Sequence, residues 1–102
     1  MFKPDSKLRQ KDSAMSIYIV SYDLNKVGQN YSCITEKLKA YPKHWHAQQS
    51  VWFIVSSGNA SRIRDELQTC LDSNDSLFVG QLSSAAWTGL GQEFSRWYKS
   101  NV

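Results

Sequence analysis

The sequence predicts an α+β fold in a single domain, on three observations. β-Branched and aromatic runs alternate with helical patterns in the order strand, helix, strand, strand, helix, strand. A chain of 102 residues suits one two-layer core and is too short for two. The two most apolar runs, "SIYIVSY" and "SVWFIVSS", fall at the first and third strand positions.

Each element follows from local chemistry. Residues 1–14, "MFKPDSKLRQKDSA", are polar and aperiodic, which predicts a disordered extension before a domain over 15–102. "SIYIVSY" (16–22) is apolar on both faces, as a central strand requires. "DLNKVGQN" gathers Asp, Asn and Gly and reads as a loop. Tyr31, Ile34, Leu38 and Tyr41 then recur on one helical face, and Pro42 ends that helix. "HWHAQQ" reads as an edge strand and "SVWFIVSS" as a central one. "GNASRIRDELQTCL" is helical, with Asn59 as N-cap and Ile63, Leu67, Cys70 and Leu71 on the buried face. "SLFVGQL" is the fourth strand, with Gly80 as a bulge position. A short helix from about Gly91 packs Phe94 and Trp97 onto the body.

That order is the split βαβ arrangement called ferredoxin-like (βαββαβ). It implies an antiparallel sheet with two helices on one face, and here a short C-terminal helix as well. Two right-handed crossovers place the first and third strands in the middle of the sheet, where the most apolar strands belong.

Composition narrows the function classes. No stretch approaches the roughly 20 apolar residues of a membrane span, and the N-terminus has no apolar secretory core, so a cytoplasmic protein with no membrane partner is expected. The formal charge is +3, but residues 1–14 hold four Lys/Arg and two Asp, leaving eight basic and seven acidic residues in the rest. A nearly neutral body has no phosphate-tracking stripe, so nucleic acid is permitted as a partner without being indicated. Cys33 and Cys70 are isolated and in no C-x-x-C arrangement, which predicts reduced thiols in a core and no structural zinc.

The topology also gathers polar groups. The first strand runs antiparallel to the third and fourth, so its C-terminal end lies beside their starts. Asp23, Ser50 and Asp75 should meet there. Two carboxylates and a hydroxyl are oxygen ligands of the kind Mg²⁺ takes, and such an ion can activate water against a phosphodiester. The same residues fit a structural role, because Asp closes turns at strand ends by accepting backbone amides. His44 and His46 alternate in "KHWHAQ" and share a strand face opposite Trp45. They suit a binding or acid–base role, or simply an exposed edge. The four tryptophans read as core or interface, and Arg62 and Arg64, offset by Asp65 and Glu66, as solvated surface.

"IVSYDLN", "QQSVWFI" and "SNDSLFVGQL" resemble the small CRISPR-associated protein two family and, more loosely, the VapD-type ribonuclease toxins. That resemblance implies a ferredoxin-like homodimer with a Tyr-Asp pair ending its first strand. Tyr22 and Asp23 match the pair, and Gln49, Ser50 and Val51 approximate a Gln-x-Ser-Val pattern. It further implies that Asp23 of each subunit faces its mate and holds a divalent metal for nuclease action. "SYDLNK", "HWH", "SVW", "SND" and "AAWTG" are similar to short bacterial proteins labelled SinR family, although no helix-turn-helix module is present. The chain departs from the CRISPR-associated pattern in having no arginine-rich first helix and in ending on a helix. Two functions are therefore expected. One is a homodimeric Mg²⁺-dependent nuclease acting on RNA or DNA. The other is a non-catalytic dimeric module that binds an unknown protein partner in a defence, toxin–antitoxin or mobile-element system.

Overall fold

The structure, a computed structural model, describes residues 15–25 and 31–102. The expected extension at 1–14 and most of the expected loop after Asp23 lie outside the described residues. The elements are β1 (Ser16–Asp23), α1 (Ser32–Lys39), β2 (His44–Gln48), β3 (Val51–Ser56), α2 (Ala60–Leu67), a 3-10 turn (Gln68–Cys70), β4 (Ser76–Gln81) and α3 (Gln92–Asn101). The architecture is α+β, with one four-stranded sheet in the order β2-β3-β1-β4 and every pairing antiparallel. β1 and β3 are central, as their apolar composition predicts. None of the described helices is long and apolar enough to cross a membrane.

Each helix docks through an i, i+4 pair. Ile34 and Leu38 of α1 and Ile63 and Leu67 of α2 are buried against Tyr18, Val20, Tyr22, Leu24, Trp52 and Ile54 on one face of the sheet. Fully burying one such aliphatic side chain contributes roughly 1.5–3 kcal/mol. Short helices need this, because eight residues do not hold a helix in water alone. The Asn59 side chain accepts the Arg62 N–H at 2.9 Å and so caps α2 as expected.

The third helix covers the other face. Phe94 and Tyr98 of α3 pack on Ile17, Phe53 and Val55, with Trp45, Trp87 and Trp97 around them. The sequence reading puts Trp97 beside Phe94 in this role, but Tyr98 is the more deeply buried, since i+4 from Phe94 lies more nearly over the same stripe. α3 starts after Gly91, whose φ of +91° is strained for any residue with a side chain. Glu93 in its first turn and Lys99 in its last complement the helix dipole.

Two expectations are corrected. Cys33 and Cys70 are not separate reduced thiols: they form a disulfide with Cα atoms 5.6 Å apart, inside the usual range of about 4.4–6.8 Å. The first turn of α1 and the 3-10 turn lie side by side, a proximity created by the fold across 37 residues of sequence. Gly80 is not a bulge either. It pairs in register with Ile19, and the sheet irregularity falls in β2 between His46 and Gln48. Gly80 instead makes room for the Phe78 ring, which would lie 2.9 Å from a Cβ at that position.

Candidate functional site

Alternation along β1 separates the neighbours Tyr22 and Asp23. Tyr22 belongs to the side facing α1 and α2, with Tyr18, Val20 and Leu24, whereas Asp23 shares the α3 side with Ile17 and Ile19. The Tyr-Asp pair is thus one core residue and one surface residue.

On the inner side Tyr22 is buried, and its hydroxyl accepts the indole N–H of Trp52 at 3.2 Å. Burial raises the Tyr22 pKa above its ordinary 10.0; the Trp52 hydrogen bond opposes that shift and the Tyr31 hydroxyl adds to it. His46 stacks on Trp52, with centroids 4.1 Å apart and planes 11° from parallel, and His44 lies 5.9 Å from the same ring. Both imidazoles are engaged by backbone: His44 Nδ1–H donates to the Tyr41 carbonyl at 2.8 Å and His46 Nε2–H to the Gln49 carbonyl at 3.1 Å. Carbonyls only accept, so these contacts set the tautomer of each ring. Trp52 is the hub of the set formed by Tyr22, His44 and His46. Sequence spacing names the two histidines, but only the register His46↔Trp52 shows what they touch.

The strand ends converge as topology requires. Tyr22 N–H donates to the Ser50 carbonyl at 3.1 Å, placing Ser50 and Gln49 beside the end of β1, and Asp23 pairs with Ser76, directly after Asp75. The carboxylates then diverge in role. Asp75 Oδ1 accepts the Asn25 N–H at 3.0 Å, and its Oδ2 accepts the Asp72 N–H at 2.8 Å. Asn25 returns a bond from Nδ2 to the Asn74 carbonyl at 2.6 Å. Both Asp75 oxygens thus close a turn, the structural role, and Asn25 is a partner that residue type alone does not reveal.

Asp23 is exposed, and its surroundings on the α3 side are open. Ser76 opposite it is exposed and Phe78 is 62% exposed, an unusual position for a phenyl ring in a strand. Among the described residues, no group of three or more His, Cys, Asp or Glu side chains is arranged to hold a metal ion.

Lys43 and Arg62 lie at the opposite end of the sheet. The Lys43 carbonyl accepts the Val55 N–H at 3.0 Å, near where Ser56 pairs with Ser16. Arg62 lines an open groove of about 470 Å³ there with Tyr41, Ser56, Gly58 and Glu66. The Tyr41 hydroxyl donates to Glu66 at 2.7 Å, and its pKa is raised by burial, by that bond and by the carboxylate charge. No protein-family model matches this chain, and no solved structure matches it.

Proposed function

We propose that the chain is a ferredoxin-like domain that works as a two-fold homodimer, joined through the open part of the α3-side sheet face around Phe78 and Asp23. The strand order β2-β3-β1-β4 and the placement of α1 and α2 together on one face support the ferredoxin-like reading. The exposure of Phe78 on the same sheet face as Asp23 carries the dimer reading, because it offers a mate a large apolar ring to bury. Its function is that of an assembly module of the CRISPR-associated protein two type, which presents its helices to a protein partner.

A second reading, Mg²⁺-dependent cleavage of RNA or DNA, is favoured by the exposure of Asp23. One such carboxylate is a poor ligand set, but two across a dimer axis can share a Mg²⁺ that keeps several waters and activates one of them. Asp75 already accepts one backbone amide on each carboxylate oxygen, so a metal there would share it with the turn. Lys43 and Arg62 lie toward the other end of the sheet, whereas Arg64 lines a groove with Asp72, Asp75 and Leu77 at the Asp23 end.

Sedimentation of the purified chain tests the first reading: a concentration-dependent dimer that Phe78→Glu abolishes is expected, and a monomer at all concentrations overturns it. Incubation with RNA and DNA, with Mg²⁺ or with EDTA, separates the two readings. Metal-dependent cleavage lost in Asp23→Asn establishes catalysis, and a stable dimer without turnover leaves the assembly module.

A further inference from the structure

The disulfide and the acidic turn form one mechanical unit. Cys33 is exposed in the first turn of α1, and Cys70 is half-buried against the helix-side core at the end of the 3-10 turn. Two residues beyond Cys70, Asp72 donates its N–H to Asp75, and Asp75 accepts from Asn25, two residues beyond Asp23. One covalent bridge and a hydrogen-bonded turn thus connect α1 to the end of β1. α1 itself is short, with eight residues, no side-chain cap from Tyr31 and two buried side chains.

We propose that the Cys33–Cys70 pair is a redox latch on this end of the sheet. With the bond closed, α1 and the Asp72–Asp75 turn move as one body and fix Asn25, and with it the setting of Asp23. With the bond open, α1 and the turn separate, Asn25 is released from Asp75, and the sheet itself is unchanged. A dithiol reductant opens the latch: its thiolate attacks the more exposed Cys33 sulfur, and Cys70 leaves as a thiolate and takes up a proton. The second reductant thiol then displaces Cys33 from the mixed disulfide, so two electrons and two protons pass to the protein and the reductant becomes a cyclic disulfide. Closing is the reverse exchange, with a low-molecular-weight disulfide such as oxidised glutathione as the two-electron acceptor. In a reducing cytoplasm the latch rests open and closes under oxidation. This device goes beyond the dimer reading and does not depend on it.

Nitrogen-15 relaxation of the full chain tests it, oxidised by glutathione disulfide and then reduced by dithiothreitol. Thiol titration should find no free thiol in the first sample and both cysteines free in the second. On reduction, order parameters at Asn25, Cys33 and Asp72–Asp75 should fall from about 0.85 to below about 0.6. The Asn25 side-chain amide signals should move toward the positions of a free asparagine, while β1 and β3 amides stay as they were. The Cys33→Ser/Cys70→Ser variant should show the reduced pattern without reductant and ignore its addition. Free thiols persisting in glutathione disulfide would overturn the proposal, as would order parameters that do not respond to reduction. Loss of the sheet signals together with the turn would also overturn it, because the bond would then be a staple of the whole fold.

Discussion

Asp75 holds the backbone of Asn25: its Oδ1 accepts the Asn25 N–H at 3.0 Å, while its Oδ2 accepts the N–H of Asp72 at 2.8 Å. A side chain that satisfies two amides from two segments is a joint between the β1 exit and the β4 entrance. Asp75→Ala should therefore lose about 1–3 kcal/mol of unfolding free energy, as expected when charge-accepted hydrogen bonds are removed. Asp75→Asn, which keeps one carbonyl acceptor, should lose less than Asp75→Ala. Urea titration of the three proteins checks the order.

Tyr22→Phe removes the acceptor of the buried Trp52 N–H and should cost about 1–3 kcal/mol, because an indole donor is then left desolvated without a partner. The same hydroxyl gives the fold an alkaline limit. Tyr22 and Tyr41 both have pKa values raised above 10.0 by burial, so above that pH an unfolded chain ionises while the folded one stays protonated. The folded state then binds more protons, and stability, full below the unfolded value, falls as pH rises toward the raised values. Urea midpoints should be flat near neutrality and decline above about pH 10, with a shallower decline in Tyr22→Phe and in Tyr41→Phe.

The parts of the fold set by local periodicity were legible in the chain itself. Ile34 with Leu38 and Ile63 with Leu67 are buried as i, i+4 pairs, and Asn59 caps the helix it precedes. The meeting of Asp23, Ser50 and the Asp75 turn followed from strand direction alone, with no side-chain information. What strand direction cannot supply is the use each group makes of its neighbours. Asp75 and Asp23 are the same residue type at the same end of the sheet, yet among the described residues Asp75 alone has backbone donors on both oxygens.

Two other features depend on how distant elements pack. The Cys33–Cys70 bridge requires α1 to lie beside the 3-10 turn, and no spacing rule spans 37 residues of chain. The side on which α3 packs was indirectly visible. Ile17, Phe53 and Val55 face away from α1 and α2, and such apolar residues on the second face of a sheet demand a cover. Trp45, on the β2 face opposite the histidines, belongs to the same demand.

The disulfide should be worth about 4 kcal/mol, the chain-entropy value for closing a 37-residue separation. Cys33→Ser/Cys70→Ser should show that loss in urea without reductant, and the wild type should reach the same stability in dithiothreitol. Because the uncrosslinked unfolded chain exposes more surface, the urea m value should rise at the same time. An unchanged m value would place the effect in the folded state.

Phe94 anchors α3 with 1% of its surface exposed and rings of Phe53 at 5.1 Å and Trp87 at 4.9 Å around it. Phe94→Ala should cost about 3–5 kcal/mol, the range for emptying an aromatic site in a core. Since the Trp87 ring stands edge-on to Phe94, the near-ultraviolet circular dichroism of the folded variant should lose intensity even in buffer without urea. Trp52, on the other face of the sheet, should keep its hydrogen bond to Tyr22.

The proposed dimer makes an electrostatic prediction at Asp23. If two Asp23 carboxylates approach one another across the axis, their repulsion opposes association in metal-free buffer and a shared Mg²⁺ relieves it. Asp23→Asn should then tighten the dimer by about 1–2 kcal/mol, roughly five- to thirtyfold in Kd. Mg²⁺ should tighten the wild-type dimer and leave the variant unmoved. Phe78→Glu should weaken association in both backgrounds while changing monomer stability by no more than about 0.5 kcal/mol, as expected for a side chain 62% exposed in the single chain. Sedimentation velocity over a range of concentrations measures all four proteins. A wild-type dimer indifferent to Mg²⁺ and to Asp23→Asn would put the carboxylates away from the axis and remove the metal-bridged site.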